Sequence, residues 1–152
     1  LSPFAVFVGA IPGGLPPLIG WVAFTGSLDE GGLILFAFQF FWQFPHFWAI
    51  AWQLDEDYRK AGFRMLPSAA GKTDFSARMI LIYSLALIPL VLYPLSAGMV
   101  GPIGAGILAL LGLLFSWPAW QLYRKREDRY AKQLMFASFL YLPFIQLTFL
   151  FG

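Results

Sequence analysis

The sequence contains no cysteine, a single histidine and only 12% charged residues across 152 positions. Without cysteine, neither a disulfide framework nor a thiolate metal site can form, and redox compartment leaves no trace. One histidine excludes the usual multi-histidine metal centres. Charge this sparse cannot clothe a water-exposed surface, since soluble domains draw about a quarter of their residues from Asp, Glu, Lys and Arg. No glycine-rich phosphate loop follows a strand pattern, and no serine has a histidine partner nearby in sequence. Internal repeats, low-complexity linkers and a second domain are also missing. The chain begins at Leu1 without a methionine or a signal-cleavage pattern, so it is expected to be a fragment of a longer protein.

What is present is apolar: 59% hydrophobic residues and a mean hydropathy of +0.70. Runs long enough to cross ~30 Å of hydrocarbon, about 20 helical residues, fall near residues 4–25, 32–54, 78–97, 101–122 and 133–151. These predict an all-α integral membrane protein in which residues 1–152 form one domain of five transmembrane helices. All ten Lys and Arg lie in or beside two loops. Arg59, Lys60, Arg64, Lys72 and Arg78 follow the second span; Arg124, Lys125, Arg126, Arg129 and Lys132 follow the fourth. The positive-inside rule puts both loops, 55–77 and 124–132, in the cytoplasm, with Leu1 inside and Gly152 outside. The net charge of +2 does not point to nucleic acid, because the cations flank apolar runs as membrane anchors do. The expected partner is the lipid bilayer.

Ile11-Pro12-Gly13-Gly14-Leu15-Pro16-Pro17 removes three backbone donors inside the first span, predicting a kink or break that is either a substrate wall or a packing feature. The second span carries Gln39, Gln43, His46 and Gln53 and runs into Asp55-Glu56-Asp57-Tyr58-Arg59-Lys60. At about 100° per residue, Gln39, Gln53 and Asp57 fall within roughly 20° of His46 and Gln43 within roughly 60°. Such a stripe must face the bundle interior or a water-filled cleft. It is either polar glue between helices or one wall of a site, and the carboxylates that follow favour a site. Asp55, Glu56 and Asp57 beside Arg59, Lys60 and Arg64 suit a Mg²⁺–diphosphate complex, because Mg²⁺ takes one or two carboxylates and shares its remaining positions with water and phosphate. The bland alternative is a solvated loop whose charges satisfy one another. The run Arg124–Arg129 reads as a topology anchor. Phe40, Phe41, Trp42, Phe44, Phe47, Trp48 and Trp52 read as packing and interfacial belt, or as the lining of a pocket for an isoprenoid or flat macrocycle.

Gly9-Ala10-Ile11-Pro12-Gly13, Pro16-Pro17-Leu18-Ile19-Gly20-Trp21, Trp42-Gln43-Phe44-Pro45-His46-Phe47, Glu56-Asp57-Tyr58 with Ala61-Gly62, and Met65-Leu66-Pro67 together resemble the protoheme IX farnesyltransferase (heme O synthase) family of UbiA-type intramembrane prenyltransferases. The likeness is densest from Val8 to Pro67 and becomes generic after about residue 80. It implies a nine-helix bundle whose two acidic loop motifs hold Mg²⁺ and farnesyl diphosphate, and transfer of the farnesyl group to a vinyl carbon of heme B on the way to heme A. It implies a bacterial plasma membrane, with heme A synthase or terminal oxidase assembly proteins as candidate partners. Carried over, Asp57, Asp55 and Glu56 become the catalytic and metal-binding second motif. Arg59, Lys60, Arg64 and Tyr58 become diphosphate partners, and His46, Gln43 and Gln39 line the acceptor end. The superfamily's second motif reads Asp-x-x-x-Asp, whereas Arg59 stands four residues after Asp55. The first motif and four spans are not in this chain, which is therefore expected to be the carboxy-terminal five-helix portion, inactive alone. A UbiA-type enzyme with an aromatic acceptor, half of a transporter and a purely structural subunit are the competing readings.

Overall fold

The computed structural model describes residues 4–151, and among them every regular element is helical. The helices are α1 (Ala5–Thr25), α2 (Glu30–Gln53), α3 (Asp55–Lys60), α4 (Asp74–Ala86), α5 (Leu92–Ser96), α6 (Pro102–Lys125) and α7 (Asp128–Phe151), with a 3₁₀ turn at Pro89–Val91. Among the described residues five stretches are long and apolar enough to span a membrane: α1, α2, Asp74–Ser96, α6 and α7. The multi-pass character expected from hydropathy is therefore borne out.

The break expected in the first span lies instead in the third. α1 runs as one helix through Pro12, Pro16 and Pro17. In the third span Pro89 has no N–H for the Leu85 carbonyl, which takes the Ile88 amide at 3.0 Å instead, and the chain tightens into the 3₁₀ turn. The Pro-Gly-Gly segment of α1 serves packing. A Cβ on Gly13 would lie 2.1 Å from Oε1 of Gln43, so glycine lets α1 approach the polar face of α2. The helices also extend beyond the apolar runs. α6 continues to Lys125 and α7 starts at Asp128, leaving Arg126 and Glu127 between them. Basic residues end α6 and an acid begins α7, the order that the helix dipoles favour where water is near.

α2 is the hub. It packs against α1, α4 and α7, while α6 bridges α4 and α7, so four spans close a ring and α1 lies on the outer face of α2. The core is rich in α2 aromatics: Trp52, Phe44, Trp48 and Trp42 are all buried. Phe44 and Trp48 pack on Tyr83 of α4 with centroids 4.7 and 5.1 Å apart. Outward faces carry large exposed apolar groups such as Phe24, Ile103 and Leu150, as a lipid-facing surface requires.

The turn between α1 and α2 is closed by Asp29, whose carboxylate accepts from Ser27 Oγ at 2.8 Å, from Trp21 Nε1 at 2.7 Å and from the Gly31 amide at 3.0 Å. The Ser27 hydroxyl foremost, with the indole and the amides, holds this carboxyl below the ordinary carboxylate range. Because the pKa is lowered on folding, the cap contributes fully above the ordinary carboxylate value and is lost as pH falls through the lowered one. Amide exchange at Gly31 and Gly32 should therefore accelerate below that pH in the native chain, and Asp29→Asn should show no such step. Replacing Gly13 with alanine should cost about 1–3 kcal/mol by overpacking. Thermal unfolding in detergent measures this. Gly9→Ala, whose Cβ meets nothing within 4 Å, should show no loss.

Candidate functional site

Polar side chains on α2 are costly in hydrocarbon, so each is expected to find a partner. The buried Gln43 donates Nε2 to the Ala10 carbonyl of α1 and to the Gln39 carbonyl, both at 3.2 Å. Gln53 donates to the Ala49 carbonyl at 3.2 Å and meets Met135 Sδ of α7 at 3.5 Å. Gln39 is half-buried and lines a small crevice with Pro17 and Gln146. Gln43 and Gln53 thus act as glue between spans. A cavity of about 380 Å³ lined by Glu30, Phe38, Phe41 and Tyr93 lies toward the other end of α2, with neither His46 nor Asp55, Glu56 and Asp57 in its lining.

His46 is held differently. Its ring stacks on Trp42 at 4.6 Å and 14°, Phe47 and Phe139 flank it edge-on, and Nδ1 lies 2.6 Å from Ser138 Oγ. Ser138 Oγ in turn donates to the Met135 carbonyl at 2.5 Å. With that hydroxyl proton committed, Nδ1 must be the donor to Ser138. Nε2 is left with a lone pair for a proton or a Lewis-acidic centre, the arrangement by which hydrogen bonding at one ring nitrogen sets the chemistry of the other. Trp42 Nε1 donates to the carbonyl of the same Ser138 at 3.1 Å.

Beyond Gln53 the chain turns at Leu54, with φ −102° and ψ 16°, before α3 begins. That turn interrupts the regular helix on which the alignment of Asp57 with His46 rests. α3 places Asp55, Glu56 and Asp57 in its first turn and Arg59 and Lys60 in its last, again the order its dipole favours. Ala61-Gly62 closes the helix: Gly62 adopts φ +80° and the Phe63 amide reaches the Tyr58 carbonyl at 2.8 Å. Tyr58 rests its ring against the core. Asp57 and Lys60 form a loose pair, 3.7 Å apart with side chains 75% and 76% exposed. Arg64 Nη1 donates to the Ala69 carbonyl. Asp55 is half-buried and abuts Gly71, where a Cβ would lie 2.5 Å from Asp55 Oδ2.

Among the described residues no three His, Cys, Asp or Glu side chains converge on a metal position, and three consecutive residues on one helical turn point about 100° apart. Asp55, Glu56 and Asp57 therefore do not form a closed protein cage. They fit an ion that takes one or two carboxylates and shares the rest of its shell with phosphate.

Two sets of residues were missed in sequence. Ser138 is one of the buried hydroxyls of an apolar span that also carries Tyr141 and Thr148, and nothing in the sequence says which of them meets a polar neighbour on another helix. Lys72 and Asp128, read only as loop charges, pair with each other at 2.8 Å, and Trp52 Nε1 donates to the same carboxylate at 3.0 Å.

Residues 1–142 match the UbiA prenyltransferase family. Protoheme IX farnesyltransferase of Cytophaga hutchinsonii is 48% identical over 98% of this chain and 52% of its own length. The proteins of the same name from Solibacter usitatus and Myxococcus xanthus are 44% and 42% identical, each over 91% of this chain and 47% of its own length. The chain thus spans about half the length of the curated relatives it matches. No solved structure matches it.

Ser138→Ala would leave the His46 Nδ1–H buried without its acceptor, at a cost of about 1–3 kcal/mol. Ser138→Thr, which keeps the hydroxyl, should recover most of that loss. Unchanged thermal stability for the alanine variant would mean that the pair at 2.6 Å does not anchor His46.

Proposed function

The chain belongs to the UbiA prenyltransferase family, and we propose that it forms the carboxy-terminal, five-helix part of an enzyme that transfers the farnesyl group of farnesyl diphosphate to a vinyl carbon of heme B. The observation that carries this reading is the charge left over on α3. Eight of the ten cations have a partner among the described residues: an ion pair for Lys60, Lys72, Arg78, Arg126 and Arg129, a carbonyl for Arg64, the Tyr130 hydroxyl for Lys125 and the Trp120 ring for Arg124. Asp55, Glu56 and Arg59 have none, and among the described residues α3 is the one place where unpaired charges of both signs occur together. A diphosphate bound with a divalent cation needs both signs at one rim.

In this reading Arg59, Lys60 and Arg64 grip the phosphate oxygens, Asp57 exchanges its loose contact with Lys60 for the ligand, and Asp55 and Glu56 supply carboxylate oxygens. Mg²⁺, when bound with the diphosphate, would offset the negative charge that builds on the leaving group. As the C1–oxygen bond breaks, C1 acquires allylic-cation character and the electron pair leaves with the diphosphate. The vinyl group supplies the pair for the new carbon–carbon bond, and water then adds at the adjoining carbon and gives up a proton, leaving a hydroxyethylfarnesyl side chain. His46 lies nine residues before Asp55, about 14 Å along a helix, with Nε2 open to the acceptor. The aromatic wall around it, Trp42, Phe47 and Phe139, suits a flat macrocycle. The segregation of basic residues favours a cytoplasmic rim, in a bacterial plasma membrane.

In the full-length protein Asp57→Asn should lower heme B conversion by about 10²–10³-fold, the scale for losing one aimed electrostatic contact, while membrane insertion stays intact. Product analysis by mass reads the result. Conversion at the native rate would rule out the α3 turn as the diphosphate end, and a prenylated aromatic acid in place of farnesylated heme would redirect the acceptor assignment.

A further inference from the structure

Lys72 lies near the end of the 61–73 loop, and Asp128 is the first residue of α7, 56 positions later. Lys72 Nζ reaches both carboxylate oxygens of Asp128, at 2.8 and 2.9 Å. The same carboxylate accepts the N–H of Trp52, whose side chain is fully buried one turn before α3. Three segments that lead to or from the rim therefore meet at one carboxylate. A surface ion pair alone would be worth little to stability, and Asp128 is 62% exposed. What distinguishes this one is where it holds the chain.

Gly71 adjoins Lys72 and sits at φ +90°, its Cα so close to Asp55 that no other residue fits without moving that carboxylate. The Gly71 carbonyl is fixed by Ser76 Oγ at 2.8 Å and its amide by the Ser68 carbonyl at 2.9 Å. The loop also holds Arg64, through the Ala69 carbonyl. Pinning Lys72 thus sets the loop that carries Arg64 against Asp55 of the acidic turn.

The geometry points to Asp128 and Lys72 as positioning residues: their contact, seated on Trp52, keeps the 61–73 loop against α3 so that Asp55 and Arg64 face one diphosphate. This rests on the reading of α3 as the diphosphate end. Neither residue touches the substrate, and the effect falls on affinity for the prenyl diphosphate rather than on stability or on the heme acceptor.

The test uses the full-length protein with Lys72→Met, Lys72→Arg, Asp128→Asn and Trp52→Phe beside Asp57→Asn. Lys72→Met and Asp128→Asn should raise KM for farnesyl diphosphate roughly tenfold, as loss of a charge-assisted contact does. Under the same change kcat, KM for heme B and thermal stability should stay near native values. Hydrogen exchange across residues 61–73 should accelerate by about the same factor, with α2 unchanged, a readout that does not depend on turnover. Lys72→Arg, which keeps the ion pair, should behave as the native protein, and Trp52→Phe should follow Lys72→Met in loop exchange. If Asp57→Asn abolishes turnover while Lys72→Met and Asp128→Asn leave both KM and loop exchange unchanged, the positioning role is overturned. If they only lower thermal stability, it is likewise overturned. If Asp57→Asn itself turns over normally, the reading of α3 fails instead.

Discussion

Every polar side chain that α2 carries into hydrocarbon needs a partner from another span, and the partners it finds determine how the bundle assembles. Apolar helices have no hydrophobic reason to prefer one another inside a bilayer, so hydrogen bonds and close packing decide which faces meet. Gln43 requires α1, whose Ala10 carbonyl it reaches and whose Gly13 makes room for it. His46 and Trp42 require α7, through Ser138. α4 joins by shape, with Tyr83 received between Phe44 and Trp48.

At the rim the constraint relaxes, because water can satisfy a charge and an ion pair becomes optional. Most loop charges nonetheless pair, some locally and two across the loops: Lys72 with Asp128, and Arg126 with Asp74. α3 is the exception. Apart from the loose Asp57–Lys60 pair, its acids and bases are ordered by the helix dipole rather than cancelled by neighbours, which leaves Asp55, Glu56 and Arg59 without a partner among the described residues. The interior spends its polarity on assembly, and the edge keeps some in reserve.

The spans were legible because hydropathy over about 20 residues reports directly on the medium. Their ends were less so. α6 and α7 continue into the interface, where composition no longer distinguishes helix from loop, and the charges there follow the dipoles. The polar stripe was legible too, but its division was not, since spacing on one helix says nothing about what faces it. Ser138 is 92 residues from His46, and no local pattern joins them. Proline misled in one span and was overlooked in another: three in α1 leave the helix whole, while Pro89 ends α4 and forces a 3₁₀ turn. The acidic residues were legible as lying outside the hydrocarbon, because six charged and aromatic residues in a row have no place inside a bilayer, but the loop expected over 55–77 opens with helix α3 at Asp55–Lys60 and gives way to α4 at Asp74.

The tryptophans of α2, which in sequence suggest packing, an interfacial belt or a pocket lining, have a more definite task. Trp42 and Trp52 stand ten residues apart, and their indole N–H groups reach Ser138 and Asp128, also ten residues apart on α7. On both helices that interval rises about 15 Å, so both contacts are satisfied at one register. A slip of one residue, about 1.5 Å along the axis, would break both together. His46 and the acidic turn flank the same stretch of α2, one held through Ser138 and the other beside Trp52. The register that seats the tryptophans therefore also decides which residues of α7 face this stretch, setting Ser138 against the ring nitrogen of His46 and Asp128 against the turn that leads into α3.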